Sequence, residues 1–200
     1  MKRLFILFIF TSTLSAQLLR TTFTYFAGPS VPTQPRAFRQ TWNTGLDVGL
    51  GVGTFLTREF ELRFVLSYDY FSLNGDQYLA ETGAGAAGYS VSGGANTILA
   101  VTAGGEYLLT PTILGISPYV LGNIGLMSFG HGEITLRAAS ASFVTDFPSE
   151  TAILMQAGAG LNVAPSSIFS IYLESFYTMC FTKGVTTGFL PVRIGILISY

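Results

Sequence analysis

The chain has 200 residues, of which 49% are hydrophobic and only 10% are charged. An average soluble domain carries roughly 25% charged residues, and so apolar a sequence is not expected to be disordered. A transmembrane helix needs about 18 or more consecutive apolar residues, and no such run exists after residue 16. The composition, with 23 Gly, 17 Phe and 10 Tyr residues, indicates a membrane protein without membrane helices.

The N-terminus has the layout of a secretory signal peptide. A basic start is followed by the apolar stretch 4–10 and by polar or small residues up to Ala16, which is the expected order. We expect cleavage after Ala16, which leaves one domain of residues 17–200; the alternative is a buried N-terminal strand. The mature chain then has eight basic and eleven acidic residues, a net charge of −3. No basic surface remains to bind nucleic acid.

Alternation of apolar and polar residues at period two predicts strands throughout the mature chain, and we find no helical periodicity there. The pattern is clearest at the C-terminus, where one face carries only large apolar residues, namely Leu190, Val192, Ile194, Ile196, Ile198 and Tyr200. The eight predicted strands span residues 18–27, 45–55, 60–71, 99–109, 119–129, 152–163, 168–179 and 190–200. An even number of strands allows the sheet to close without an unpaired edge.

The predicted connections alternate in length. Short ones lie near residues 57–59, 111–117 and 164–167, and long or Gly-rich ones span residues 28–43, 74–96, 130–151 and 182–187. Short turns at one rim and longer loops at the other are typical of transmembrane β-barrels. The predicted fold class is therefore all-β, an eight-stranded antiparallel up-and-down transmembrane β-barrel.

The polar face of each predicted strand is expected to point into the barrel. In a soluble sandwich or lipocalin-like barrel the apolar face would point inward and the outer face would carry many charges. Here the polar faces hold mainly Gly, Ser, Thr and Asn with about one charge per strand, as suits a narrow lumen. The charged residues on these faces are Arg20, Asp47, Arg63, Asp69, Glu106, Glu174 and Arg193.

These charges are expected to form a network of ion pairs, because isolated charges in a confined interior are unfavourable. Arg63, Glu106, Glu174 and Arg193 all lie about five to seven residues from the short-turn rim, so they could share one layer. Two interpretations stay open: a structural plug, or a gated narrow pore whose selectivity this layer sets.

The sequence resembles the small outer-membrane barrels of the OmpA/OmpX type. The resemblance rests on the signal peptide, on the Gly-rich strand 45–53, on the strand 60–71 and on the C-terminal segment 193–200. It implies insertion into the outer membrane of a bacterium, with the barrel-assembly machinery as partner during insertion. The resemblance also implies that this machinery reads the final aromatic residue and the alternating apolar residues before it, here Tyr200, Ile198 and Ile196. No peptidoglycan-binding extension follows Tyr200, so we do not expect tethering to the cell wall.

Candidates for other chemistry are few. The single histidine, His131, has Ser128 and Glu133 nearby in sequence, which is the one arrangement suited to a lipid-modifying hydrolase. Its Gly neighbours make it a poor place to hold a catalytic base. Gly49, Gly51 and Gly53 alternate within a strand, so they are expected to pack the lumen rather than to bind phosphate. The lone Cys180 is interpreted as a packing residue, and we expect no cofactor and no metal site.

The leading functional hypothesis is a non-enzymatic integral outer-membrane protein with a structural or surface-interaction role through its long loops. One alternative is a narrow porin-like channel for small or apolar solutes. The other is a lipid-modifying enzyme that uses His131. The expected partners are outer-membrane lipid and no nucleic acid, and the chain is expected to be a monomer.

Overall fold

The computed structural model describes residues 20–109, 115–138, 141–145, 149–182 and 184–200, so the predicted signal peptide, residues 1–16, lies outside the described residues. The strands in the described residues are β1 (Thr21–Gln34), β2 (Gly45–Phe55), β3 (Phe60–Ser72), β4 (Ser90–Gly93), β5 (Ala95–Leu108), β6 (Ile116–His131), β7 (Ile134–Ala138), β8 (Ala141–Thr145), β9 (Glu150–Val163), β10 (Phe169–Phe181) and β11 (Thr186–Ser199).

Eight of these strands form a closed antiparallel barrel in the order β1-β11-β10-β9-β6-β5-β3-β2. Each strand pairs with the barrel strands before and after it in the chain, and β1 pairs with β11 to close the sheet. This confirms the predicted fold class and all eight predicted strands. At the end with the long loops the strands extend beyond the predicted bounds, to Gln34 in β1 and to His131 in β6.

The apolar side chains of the barrel point outward and the polar ones inward, as predicted. Large apolar residues on the outer face are widely exposed, with Leu126 at 60% and Ile194 at 61%. In contrast, the neighbouring Arg193 is only 2% exposed and Asp47 is fully buried. Since a protein in water would bury the first set and expose the second, the outer surface is suited to a hydrocarbon environment.

The two barrel ends differ in structure. We call the end at residues 56–59 and 164–168 the turn rim and the opposite end the loop rim. At the loop rim, β4, β7 and β8 form a separate three-stranded antiparallel sheet in the order β4-β7-β8. Phe143 and Val144 on β8 are exposed there, at 56% and 59%.

Two short helices lie in the loops, α1 (Arg36–Thr41) and α2 (Gly75–Thr82). The period-two pattern predicts only strands, so neither helix was predicted. Asn74 caps α2 by accepting a hydrogen bond from the Gln77 backbone N–H, and Gly83 ends it in a left-handed conformation with φ of 70°. Such caps are local signals, but neither helix is long enough for a clear helical period. No helix among the described residues has the length and hydrophobicity to cross a membrane.

Candidate functional site: the charged layer of the lumen and the loop rim

The strands bring together five of the seven predicted lumen charges. We call this group the charged layer; its members are Asp47, Arg63, Glu106, Glu174 and Arg193. Each lies at an inward position of its strand, because successive side chains of a strand point to opposite faces. All five are buried inside the barrel.

Glu174 on β10 is the centre of the charged layer. Its Oε2 atom accepts hydrogen bonds from Arg63 Nη1 at 3.2 Å and from Tyr119 Oη at 2.9 Å. Its Oε1 atom lies 3.5 Å from Arg193 Nη1. Arg63 also donates to Glu106 Oε2 at 2.7 Å. Since β3 and β10 lie on opposite sides in the strand order, the Arg63–Glu174 pair crosses the lumen.

Arg193 on β11 links the layer to β2. Its Nε atom donates to Asp47 Oδ2, and its Nη2 atom donates to Asp47 Oδ1 at 3.2 Å. The guanidinium also lies between two aromatic rings, 3.8 Å from the centre of Phe26 and 4.4 Å from that of Phe176. A bidentate ion pair and two cation–π contacts hold this cation in one orientation.

Two predicted members of the network have other positions. Asp69 is buried on β3 in register with Asp47, and its Oδ1 atom has no hydrogen-bond partner. Arg20 is exposed at the turn rim, where its Nη2 atom donates to the Ser167 carbonyl at 2.9 Å and to Ser199 Oγ at 3.0 Å. Arg20 therefore lies outside the charged layer, because it precedes β1 rather than lying within it.

The lumen holds one further carboxylate that the predicted network omits. Glu61 on β3 is buried, accepts a hydrogen bond from Thr22 Oγ1 and lies in register with Glu106. The alternation of β3 already places Glu61 on the same face as Arg63, so the sequence contained the signal for its position.

Side chains fill the space around the charged layer. The gap lined by Thr24, Arg63, Glu106, Tyr119 and Tyr172 is too small to hold a water molecule. A group of buried apolar residues lies between the charged layer and the loop rim, and we call it the loop-rim cluster. Its members are Phe38, Trp42, Phe71, Ile98, Ala100, Met127, Phe129, Ile134, Ala152, Leu154, Cys180 and Phe189. The expected packing role of Cys180 agrees with its burial there as a free thiol.

Lumen glycines provide room for these side chains. A Cβ atom at Gly195 would lie 2.6 Å from the Tyr172 hydroxyl, and one at Gly51 would lie 2.6 Å from Thr24 Oγ1. A Cβ at Gly49 would lie 2.9 Å from Phe26 Cε2. Real Cβ atoms do not approach so closely, so a larger residue would displace its neighbour. This agrees with the prediction that the strand glycines pack a narrow lumen.

The candidate arrangement of His131, Ser128 and Glu133 does not form. Ser128 is exposed on the outer face of β6, whereas His131 points to the inner side, where its ring stacks on Phe129 with centroids 6.0 Å apart. Glu150, rather than Glu133, lines a cleft at the loop rim together with His131. Among the described residues, no group of three or more His, Cys, Asp or Glu side chains is placed to hold a metal ion.

The residues predicted to form the barrel-assembly signal lie at the turn rim, on the outside of the barrel. Ile196 and Tyr200 are exposed, and Tyr200 packs edge-on against Phe23 with ring centroids 6.1 Å apart. Backbone hydrogen bonds join Tyr200 to Thr21 in both directions, at 2.9 and 3.1 Å. Ile198 is in register with Phe23. Recognition by the assembly machinery stays a prediction.

Comparison with known proteins identifies the fold. Neither a protein-family model nor a curated protein matches the sequence. Neisserial surface protein A, NspA, superimposes with a TM-score of 0.54 at 10% identity, covering 91% of this chain and 97% of that chain. Ail, the attachment invasion locus protein of Yersinia pestis, gives a TM-score of 0.50 at 12% identity over 90% and 98% of the two chains. The structure of Ail in complex with the heparin analogue sucrose octasulfate gives a TM-score of 0.51 at 14% identity, covering 90% of this chain and 99% of that chain.

These solved structures are small eight-stranded outer-membrane barrels, and the present chain has the same fold. At these identities the likeness defines the architecture and not the activity. The chain is thus a β-barrel of the small outer-membrane type, with a charged layer in its lumen and with helices and a separate sheet at its loop rim.

Proposed function

We propose that the protein is a non-enzymatic outer-membrane anchor that presents its loop-rim structure to the cell exterior for surface interaction. The single observation that carries this proposal is the contrast between a lumen closed by the charged layer and a loop rim with its own helices and sheet. A closed lumen supports a role outside the barrel, and long loops of such barrels face the exterior.

The three-stranded sheet β4-β7-β8 is the strongest candidate for the interacting surface. Within the described residues β8 pairs only with β7, so its other edge is open. Phe143 and Val144 on β8 are exposed, and the ring centroid of Phe143 lies 6.2 Å from that of Tyr89. An open edge with exposed apolar side chains is suited to pairing with a partner. Ail is named as an attachment invasion locus protein. The shared fold supports a role in attachment for the present chain as well.

The other two functions have less support. A porin-like channel needs a continuous aqueous path, and ion pairs and aromatic rings occupy the lumen at the charged layer. A hydrolase based on His131 needs a nucleophile beside the ring, and Ser128 lies on the opposite face of β6. We therefore place the function at the loop rim.

Labelling of intact cells tests this orientation. Ser142→Cys on β8 and Arg58→Cys at the turn rim are both exposed positions, and each is combined with Cys180→Ala so that one thiol remains. A membrane-impermeant maleimide should label Ser142→Cys on intact cells and Arg58→Cys only after the outer membrane is permeabilised. Labelling of Arg58→Cys on intact cells with protection of Ser142→Cys would overturn the proposal.

A further inference from the structure

A cleft of about 350 Å³ lies at the loop rim, between α1 and the barrel wall. The helix α1 contributes Ala37, Phe38 and Thr41 to its lining, and Phe129 of β6 and Thr187 of β11 line it from the barrel. This volume is within the range of small-molecule sites, which occur at the mouths of β-barrels and are mostly apolar. None of the functions considered above uses this cleft.

The apolar wall of the cleft is held in place by the packing beneath it. Phe38, Trp42, Phe129 and Ile134 line the cleft and are also members of the loop-rim cluster. The Phe38 ring packs edge-on against Phe71, with ring centroids 5.4 Å apart. Because the wall is already formed, a ligand does not have to order these side chains on binding.

The cleft is accessible from outside the barrel. It is open rather than enclosed, and Ala37 at its edge is exposed, while Pro35, Thr41 and Tyr78 are half-buried. A ligand can therefore enter without displacing a barrel strand. Concave apolar surfaces of this kind, which would otherwise contact water, are typical of ligand-binding grooves.

The charges of the lining favour an uncharged ligand. Among the described residues of the lining, His131 and Glu150 are the two that can carry a charge near neutral pH. Both already have interactions with other residues of the chain. A charged ligand would therefore lose hydration in the cleft without gaining an unpaired counter-ion.

We propose that this cleft binds an uncharged aromatic compound of small-molecule size. The ring of the ligand packs against Phe38, Trp42 and Phe129, and removal of its apolar surface from water supplies the free energy of binding. Aromatic walls favour an aromatic ligand, because edge-on and offset ring contacts add to the effect of burial. A neutral polar group of the ligand, such as a hydroxyl, lies at the open side of the cleft.

The single tryptophan of the chain, Trp42, provides the measurement because it lines the cleft. The protein, refolded in lipid vesicles at neutral pH, is titrated with 4-bromobenzyl alcohol, 4-bromobenzoate and 4-bromobenzylamine. These probes share a bromophenyl ring, whose bromine quenches tryptophan fluorescence on contact, and they differ in charge. We expect saturable quenching by the alcohol at a lower midpoint than by either charged probe. Quenching that does not saturate up to millimolar concentration, or a midpoint for a charged probe equal to or below that of the alcohol, would overturn the proposal.

Substitutions that fill the cleft assign the binding to it. Ala37→Phe places a ring at an exposed lining position of α1, so the midpoint for 4-bromobenzyl alcohol should rise at least about tenfold. Thr41→Phe, at a second lining position, should have the same effect. The matched control is Ala80→Phe, at an exposed position of α2 that does not line the cleft, and its midpoint should stay unchanged. An unchanged midpoint in both Ala37→Phe and Thr41→Phe, or an equal rise in Ala80→Phe, would contradict the assignment.

Discussion

At the scale of single residues, Glu174 determines how the lumen charges are arranged. One carboxylate contacts both arginines of the charged layer and the hydroxyl of Tyr119, and so connects β3, β6, β10 and β11. In a confined interior, removal of one partner leaves the others desolvated and without compensation. The charged layer therefore contributes to stability as a unit rather than as separate pairs.

The substitution Glu174→Gln tests this unit. The amide keeps the shape of the side chain but removes the charge that faces Arg63 and Arg193, so the free energy of unfolding should fall by about 3–5 kcal/mol. Urea titration of the refolded protein in lipid vesicles, followed by fluorescence of Trp42, measures the loss. The matched change Glu81→Gln, at an exposed position of α2, should stay within about 0.5 kcal/mol of the parent chain. If Glu174→Gln were as stable as Glu81→Gln, the charged layer would not contribute to stability as a unit.

Sequence alternation assigned the inward residues of the charged layer but not their contacts. Arg193 and Asp47 are 146 positions apart, and they meet because β2 and β11 both flank β1 in the closed sheet. Contacts between strands that do not pair directly depend on how far the strands are shifted relative to one another, and the sequence of a single strand does not determine this shift. Asp69 shows the same limit, since it faces inward as predicted but lies beside another carboxylate.

At the scale of elements, the sequence pattern predicts the barrel strands much more clearly than it predicts the helices and strands of the loops. A barrel strand has one face toward lipid and one toward the lumen, so period-two alternation marks it along its whole length. The helix α1 has six residues, and its position depends on Phe38, whose ring packs edge-on against Phe71 with centroids 5.4 Å apart. Tertiary packing of this kind overrides the weak local preference of a short segment. The sequence therefore predicted the barrel but not the structure at the loop rim.

The substitution Phe38→Ala tests whether α1 is held by this packing. Loss of the ring leaves α1 without its buried residue, so the segment should unfold locally more often and let trypsin cut its backbone after the exposed Arg36 and Arg39. We expect cleavage after these arginines to become at least several-fold faster, as measured by mass spectrometry of timed digests. Phe143→Ala, the same change at an exposed position of β8, is the control and should leave that cleavage unchanged. Equal cleavage rates in all three proteins would contradict the packing of α1.

At the scale of the whole molecule, the barrel has three layers along its axis. At the turn rim, backbone hydrogen bonds join Thr21 to Tyr200. The charged layer lies in the lumen, and the loop-rim cluster includes Phe38 of α1. Side chains fill the lumen at the charged layer, as expected where eight strands leave a narrow interior. This arrangement is consistent with the proposed role of the barrel as a support for the structure at its loop rim.

Conductance of the protein in a planar lipid bilayer tests this closure most directly. Refolded protein is inserted from lipid vesicles, and insertion is verified by protection of the barrel strands from added protease. We expect no steady unitary current steps across the bilayer, because the Arg63–Glu174 pair and the rings around Arg193 occupy the lumen. Steady unitary steps whose size changes in Glu174→Gln or Arg193→Gln would contradict a closed lumen and would identify the protein as a channel.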